Sequence, residues 1–168
     1  VICKWMRNEC LNHKYVYESP HPFGRLLQKF SEKSQLKTQR NNKRPYGVGL
    51  LVAGVDQDGP HLYETSPTGL VLEYHAYSIG GRSQSARTYL ENNFERFPTV
   101  SSDRLILHGI KAISTSLQDA KDLTAKGLEL AIVETGKPFR IIGDEEKQAF
   151  LEQLREFNPE ADVMEIEQ

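Results

Sequence analysis

The chain has 168 residues, enough for one domain with a sizeable core. Hydrophobic residues make up 38% of it, about 45% with the glycines, which is ordinary for a soluble globular protein, and no apolar run approaches the ~18 residues that would cross a bilayer. The net charge of −2 is unevenly spread: from Asp144 onward nine acidic residues face only Lys147 and Arg155, so the acidity lies at one end and the whole is not that of a basic, nucleic-acid-binding chain.

Residues 1–16 read as a helix, because Ile2, Cys3, Met6 and Cys10 recur at helical spacing with Trp5 at the edge of the same face. No capping residue precedes it, and the expectation is a chain cut inside a longer protein. Charges interrupt the apolar residues of this segment, so it is not a secretory signal. Cys3 and Cys10 are read as buried thiols suited to a reducing compartment. Pro20-His21-Pro22 breaks the helix, and Phe23, Leu26, Leu27 and Phe30 open a second one. Its other side carries Lys29, Lys33, Lys37 and Arg40, and the stripe runs on into Lys43-Arg44. This stripe is expected to be a solvated face, part of which could meet an acidic neighbour. Aromatic residues do not interleave it as they do on nucleic-acid surfaces.

The pattern changes after Pro45. Gly47 to Val55 is nearly continuous apolar sequence, as expected of a strand buried on both faces. Asp56-Gln57-Asp58-Gly59 turns the chain into an alternating strand at His61–Thr65, and Ser66-Pro67-Thr68-Gly69 turns it again into a strand from Leu70 to Tyr77. Three strands with short turns predict an antiparallel meander. Ile79 to Ser83 leads into a helix with Ala86, Tyr89, Leu90, Asn93, Phe94 and Phe97 inward, ended by Pro98. Ser101-Ser102-Asp103 caps the next helix, whose packing seam is predicted at Ile106, Ile110, Ile113 and Leu117. Leu128–Glu134 and Pro138–Ile142 read as a hairpin. Asp144 is expected to cap a last helix carrying Phe150, Leu151, Leu154 and Phe157, with an acidic, solvated tail at 158–168. Blocks of strands and of paired helices predict an α+β fold, with two helix layers covering two sheets.

The sequence offers little chemistry. Gly80-Gly81 precedes a helix but lacks a Walker lysine and dinucleotide spacing, so it is read as a tight turn with Arg82 on the surface. Ser66, Ser83, Ser85 and Thr88 sit in no nucleophile elbow, and nothing ties His75 or His108 to a nucleophile. Asp56 and Asp58 are read as turn residues. The histidines at 13, 21, 61, 75 and 108 have no metal-ligand spacing. No catalytic, cofactor-binding or metal-binding residue is predicted.

Two stretches carry a resemblance. Arg44-Pro45-Tyr46-Gly47-Val48-Gly49-Leu50-Leu51-Val52-Ala53-Gly54 is similar to the segment leading into the central strand of proteasome α-type subunits. Ser78-Ile79-Gly80-Gly81-Arg82-Ser83-Gln84-Ser85-Ala86-Arg87-Thr88-Tyr89-Leu90-Glu91 resembles their strand-to-helix junction. Met6 to Cys10, Asp122-Leu123-Thr124 and Leu130 to Val133 add matches in order, nearest the eukaryotic type numbered 1 or 6. The resemblance implies a four-layer αββα sandwich of the Ntn-hydrolase type over residues 1–157, lacking its N-terminal part. It implies a non-catalytic structural subunit of the core-particle outer ring, supporting ATP- and ubiquitin-dependent protein degradation in cytoplasm and nucleus. Implied partners are neighbouring α subunits, β-ring subunits and the regulatory or activator particle, with no membrane, nucleic acid or cofactor. Catalytic β-type relatives use a mature N-terminal threonine whose own amine is the base; Val1 is not one. The alternatives are a truncated β-type threonine peptidase subunit and a stand-alone binding module using the basic face at 29–44.

Overall fold

The computed structural model describes residues 1–117 and 123–159; Asp122 and most of the predicted acidic tail lie outside them. The chain divides into two compact units, Val1–His75 with Val133–Lys137, and Ala76–Ile132 with Pro138–Gln168. Among the described residues no helix is long and apolar enough to cross a membrane.

The first unit begins with two helices, α1 (Ile2–Tyr17) and α2 (Phe23–Gln39), followed by an antiparallel meander of β1 (Leu50–Val55), β2 (Pro60–Thr65) and β3 (Val71–Glu73). The register pairs Val52 with Tyr63, Gly54 with His61, and Tyr63 with Glu73. Side chains alternate across a strand, so Gly54, His61, Tyr63, Thr65 and Glu73 share one face. Helix α2 lies on that face. It buries Leu26, Leu27, Phe30 and Ser34, and its Phe23 ring occupies the space that a Cβ on Gly54 would need. The turn at Ser66–Gly69 fits closely against α2: the Ser31 hydroxyl donates to the Gly69 carbonyl, and Gly69 has φ +95°.

The expectation that β1 is buried on both faces is not met, since none of its residues is buried. Its second face presents Leu51, Ala53 and Val55 beside Leu62 and Leu72, and Leu72 is 41% exposed. The apolar run marked a strand correctly but overstated its cover. Strand β3 stops at Glu73 rather than Tyr77. One further ladder bond follows it, from the Tyr74 N–H to the Leu62 carbonyl at 2.9 Å.

The second unit holds α3 (Ser83–Glu91), α4 (Ser102–Ser116), a short hairpin of β4 (Ala131–Ile132) and β5 (Arg140–Ile141), and α5 (Asp144–Gln153). Both hairpin strands are shorter than predicted. Helix α3 ends before Phe97 because the buried Asn93 turns its side chain onto the Tyr89 carbonyl at 2.7 Å, leaving a 3-10 turn at Phe94–Arg96. Ser101 caps α4 as predicted, accepting from Arg104 N–H at 3.4 Å. The predicted seam is only partly right. Ile110 is fully buried, but Ile113 is 41% exposed while Leu107, His108 and Ala112 lie inside. Helix α4 faces two clusters: Leu107 and Ile110 pack with Leu128, Ile142 and Phe150, whereas Ala112 packs with Ala86 and Leu90. Gly143, not Asp144, is the N-cap of α5. Asp144 instead takes Lys147 Nζ at 2.6 Å, and that buried ammonium also donates to the Leu128 carbonyl at 3.0 Å.

Candidate functional site

The residues weighed as nucleophiles make local bonds. Ser66 Oγ lies 2.6 Å from Thr68 Oγ1 in its turn, and Thr88 Oγ1 donates to the Gln84 carbonyl at 3.0 Å. Ser83 is buried at the start of α3, and Ser85 is exposed on it. Gly80 and Arg82, at φ +113° and +55°, make the sharp turn into that helix. His108 is wholly buried: its Nδ1 lies 2.8 Å from Tyr89 Oη, and Phe97 and Phe157 enclose the ring. Hydrogen bonding within an aromatic enclosure is the setting of a packed core histidine.

The basic stripe on α2 is not simply solvated. Lys29 Nζ pairs with Glu9 of α1 at 2.9 Å. Lys33 lies over the Trp5 ring and Lys37 over the Tyr46 ring, each 4.7 Å from the centroid. Trp5 also meets Phe30 at 6.4 Å between centroids, so the lysines help fasten α1 and the segment after α2 onto α2. This uses both nearby rings and leaves neither open for stacking on a base.

A constellation that sequence reasoning did not assemble lies beside the β1–β2 turn of the meander. His61 donates from Nδ1 to Glu73 Oε1 at 2.6 Å and from Nε2 to Asp56 Oδ1 at 3.0 Å. Asp56 also accepts from the Asp58 N–H at 2.9 Å. The rings of Phe23 and Tyr63 flank the imidazole at 6.2 and 6.0 Å. Ionised carboxylates only accept, so two such bonds require both ring nitrogens to carry protons. The electrostatics agree. The bond to Glu73, followed by that to Asp56, raises the His61 pKa above its ordinary 6.5 against a desolvation effect that would lower it. The Asp58 N–H leads in lowering the Asp56 pKa, and His61 leads in lowering that of Glu73. Burial and Glu73 together raise the Tyr63 pKa. The signal was present in the sequence only as alternation: His61 and Tyr63 share a face, and the register sets Glu73 diagonally from His61. An imidazolium held by carboxylates at both nitrogens has no free lone pair, and so it is not poised as a general base. Among the described residues no group of three or more His, Cys, Asp or Glu side chains is arranged to hold a metal ion.

Comparison with known proteins matches residues 1–133 to the family described as Proteasome subunit. Proteasome subunit alpha type-1 of Dictyostelium discoideum is 46% identical over 160 residues, covering 95% of this chain and 64% of that protein. The protein of the same name from Drosophila melanogaster is 44% identical over 149 residues, 87% of this chain and 53% of the relative. The probable proteasome subunit alpha type-6 of Schizosaccharomyces pombe is 39% identical over 161 residues, 96% and 59% respectively. The chain thus spans between half and two thirds of the length of these relatives. With a family match over most of its length and this level of identity across nearly all of it, the chain belongs to the proteasome subunit family.

Proposed function

We propose that the chain acts as a non-catalytic, structural α-type subunit in the outer ring of the proteasome core particle. The observation that carries this reading is 46% identity to an alpha type-1 subunit over 95% of the chain. In that role residues 1–157 form part of a four-layer αββα sandwich, with 158–168 as an acidic tail beyond it. The subunit contacts α-type neighbours, the β ring and the regulatory or activator particle, and supports ATP- and ubiquitin-dependent degradation in cytoplasm and nucleus. The β-type peptidase alternative is disfavoured by the α-type names of the three relatives described above. The binding-module alternative is disfavoured by the engagement of Lys29, Lys33 and Lys37 within the chain.

Two measurements test the reading. Tagged chain produced in a cell with its own proteasome is expected to appear in core particles by native mass spectrometry. Purified chain alone is expected not to hydrolyse fluorogenic peptides. Exclusion from the particle, or hydrolysis blocked by a threonine-directed covalent inhibitor, refutes it.

A further inference from the structure

The turn between β1 and β2 holds two aspartates that the fold treats differently. Asp56 is engaged, accepting from the Asp58 N–H at 2.9 Å and from His61 Nε2 at 3.0 Å. Asp58 is exposed, and among the described residues its carboxylate meets neither a hydrogen-bond donor nor a cation. Gly59 follows it, with φ +122° and nothing within 4 Å of the position a Cβ would take. The Gly59 N–H is held by a long bond, 3.4 Å to the Asp56 carbonyl, beyond the usual range of about 2.7–3.2 Å. A free aspartate carboxyl beside an unobstructed glycine nitrogen is the pairing that closes most readily into a five-membered imide, because glycine has no side chain to block the approach. At Asp56 the next residue is Gln57, whose side chain obstructs that approach, and the carboxylate is already bound.

We propose that Asp58 is a self-modification site, at which the Asp58–Gly59 peptide isomerises to a β-aspartyl linkage and opens the β1–β2 turn. In the first step the Gly59 nitrogen attacks Cγ of the protonated Asp58 carboxyl. The N–Cγ bond forms, the Cγ–OH bond breaks, and the hydroxyl leaves with the amide proton as water. Water then adds back to the imide. Cleavage of the N–Cγ bond restores aspartate. Cleavage of the bond from nitrogen to the main-chain carbonyl carbon instead leaves the chain running through Cβ and Cγ, with a free α-carboxylate. No co-reactant other than water is consumed, and the mass of the chain is unchanged. The consequence is geometric. The main chain gains one carbon–carbon bond, about 1.5 Å. It gains it inside a turn closed by the Asp56 N–H to the Gly59 carbonyl at 3.0 Å and by the longer return bond from Gly59. Hydrogen bonds do not tolerate an added displacement of that size. The pairing of Val55 with Pro60 therefore loosens first, and the bond of Asp56 to His61 with it. The new α-carboxylate is the group that a carboxyl methyltransferase specific for β-aspartyl residues takes as substrate. The modification is independent of the subunit reading above.

The test ages the full chain at physiological pH and temperature, folded and in urea. Asp58→Glu is aged alongside it, since the longer side chain closes an imide poorly but keeps the charge and the main-chain N–H. Two probes read the product. A protease that cleaves before aspartate but not before its β-linked isomer follows each site. Methyl transfer from S-adenosylmethionine by a purified β-aspartyl methyltransferase counts the new carboxylates. In the folded wild type, cleavage before Asp58 is expected to be lost with time while cleavage before Asp56 persists, and methyl incorporation is expected to rise in step. D58E is expected to gain no methyl in this peptide. Chains carrying the isomer are expected to lose amide protection at Asp56, with Ile110 of α4 unchanged. Loss of cleavage in urea but not in the folded chain, equal loss before Asp56, or Asp56 protection retained in the isomerised fraction overturns the proposal.

Discussion

Replacing Gly69 by alanine is expected to destabilise the first unit through two separable effects. Gly69 has φ +95°, and a Cβ there would lie 2.8 Å from the Ser31 carbonyl oxygen and 3.1 Å from the Gln35 nitrogen. Both are backbone atoms of α2, so no rotamer change relieves the clash. A non-glycine residue held in such a region costs about 1–3 kcal/mol, and forcing an extra methyl into a closely packed contact costs about 1–3 kcal/mol more. Gly59 supplies the control: φ is +122°, yet nothing lies within 4 Å of its Cβ position, so Gly59→Ala carries only the backbone strain. The expected loss is about 2–6 kcal/mol for G69A and about 1–3 kcal/mol for G59A. Trp5 is the single tryptophan and packs against Phe30 in the same unit, so its fluorescence in a urea titration reports the relevant transition. With a slope of about 2 kcal/mol per molar, the two midpoints should differ by about 0.5–1.5 M. Equal destabilisation would refute the close approach of turn and helix.

The lysine stripe gives a second prediction. Replacing Lys29, Lys33 and Lys37 together by alanine should cost about 1–3 kcal/mol, from one partly exposed ion pair and two exposed cation–π contacts. A loss under about 0.3 kcal/mol in the same titration would return them to the status of solvated charges. The third concerns β1, which among the described residues pairs only with β2 and leaves its other edge open. Sedimentation of the isolated chain should show concentration-dependent association that weakens in Ala53→Lys, a charge on an exposed edge position. A wild-type chain that stays monomeric throughout would contradict this.

The parts of the fold that were legible in the sequence are those fixed by local periodicity. α1, α2 and α5 follow from apolar spacing, and the meander follows from alternation broken by Asp56–Gly59 and Ser66–Gly69. The errors fall where a tertiary contact overrides a local rule. In α3, Asn93 spends its amide on the Tyr89 carbonyl, so a stripe that continues to Phe97 in sequence does not continue in the helix. In α4, a polar residue took the place of an apolar one: His108 is buried because Tyr89 offers its hydroxyl, and Ile113 is displaced outward. In the basic stripe, charge spacing gave the face but not the rings of Trp5 and Tyr46 that receive it.

The carboxylate–histidine constellation was illegible for a related reason. Asp56 has an adequate explanation as a turn residue, and it does serve the turn by accepting from the Asp58 N–H. His61 is one polar residue on an alternating strand, and Glu73 begins to matter only once the register places it diagonally across from His61. None of the three is unusual by itself. What joins them is the register of the meander, which brings the turn carboxylate and the β3 carboxylate to the two ring nitrogens of His61. A local rule explains each residue alone, and only the strand pairing makes an ion-paired group of them.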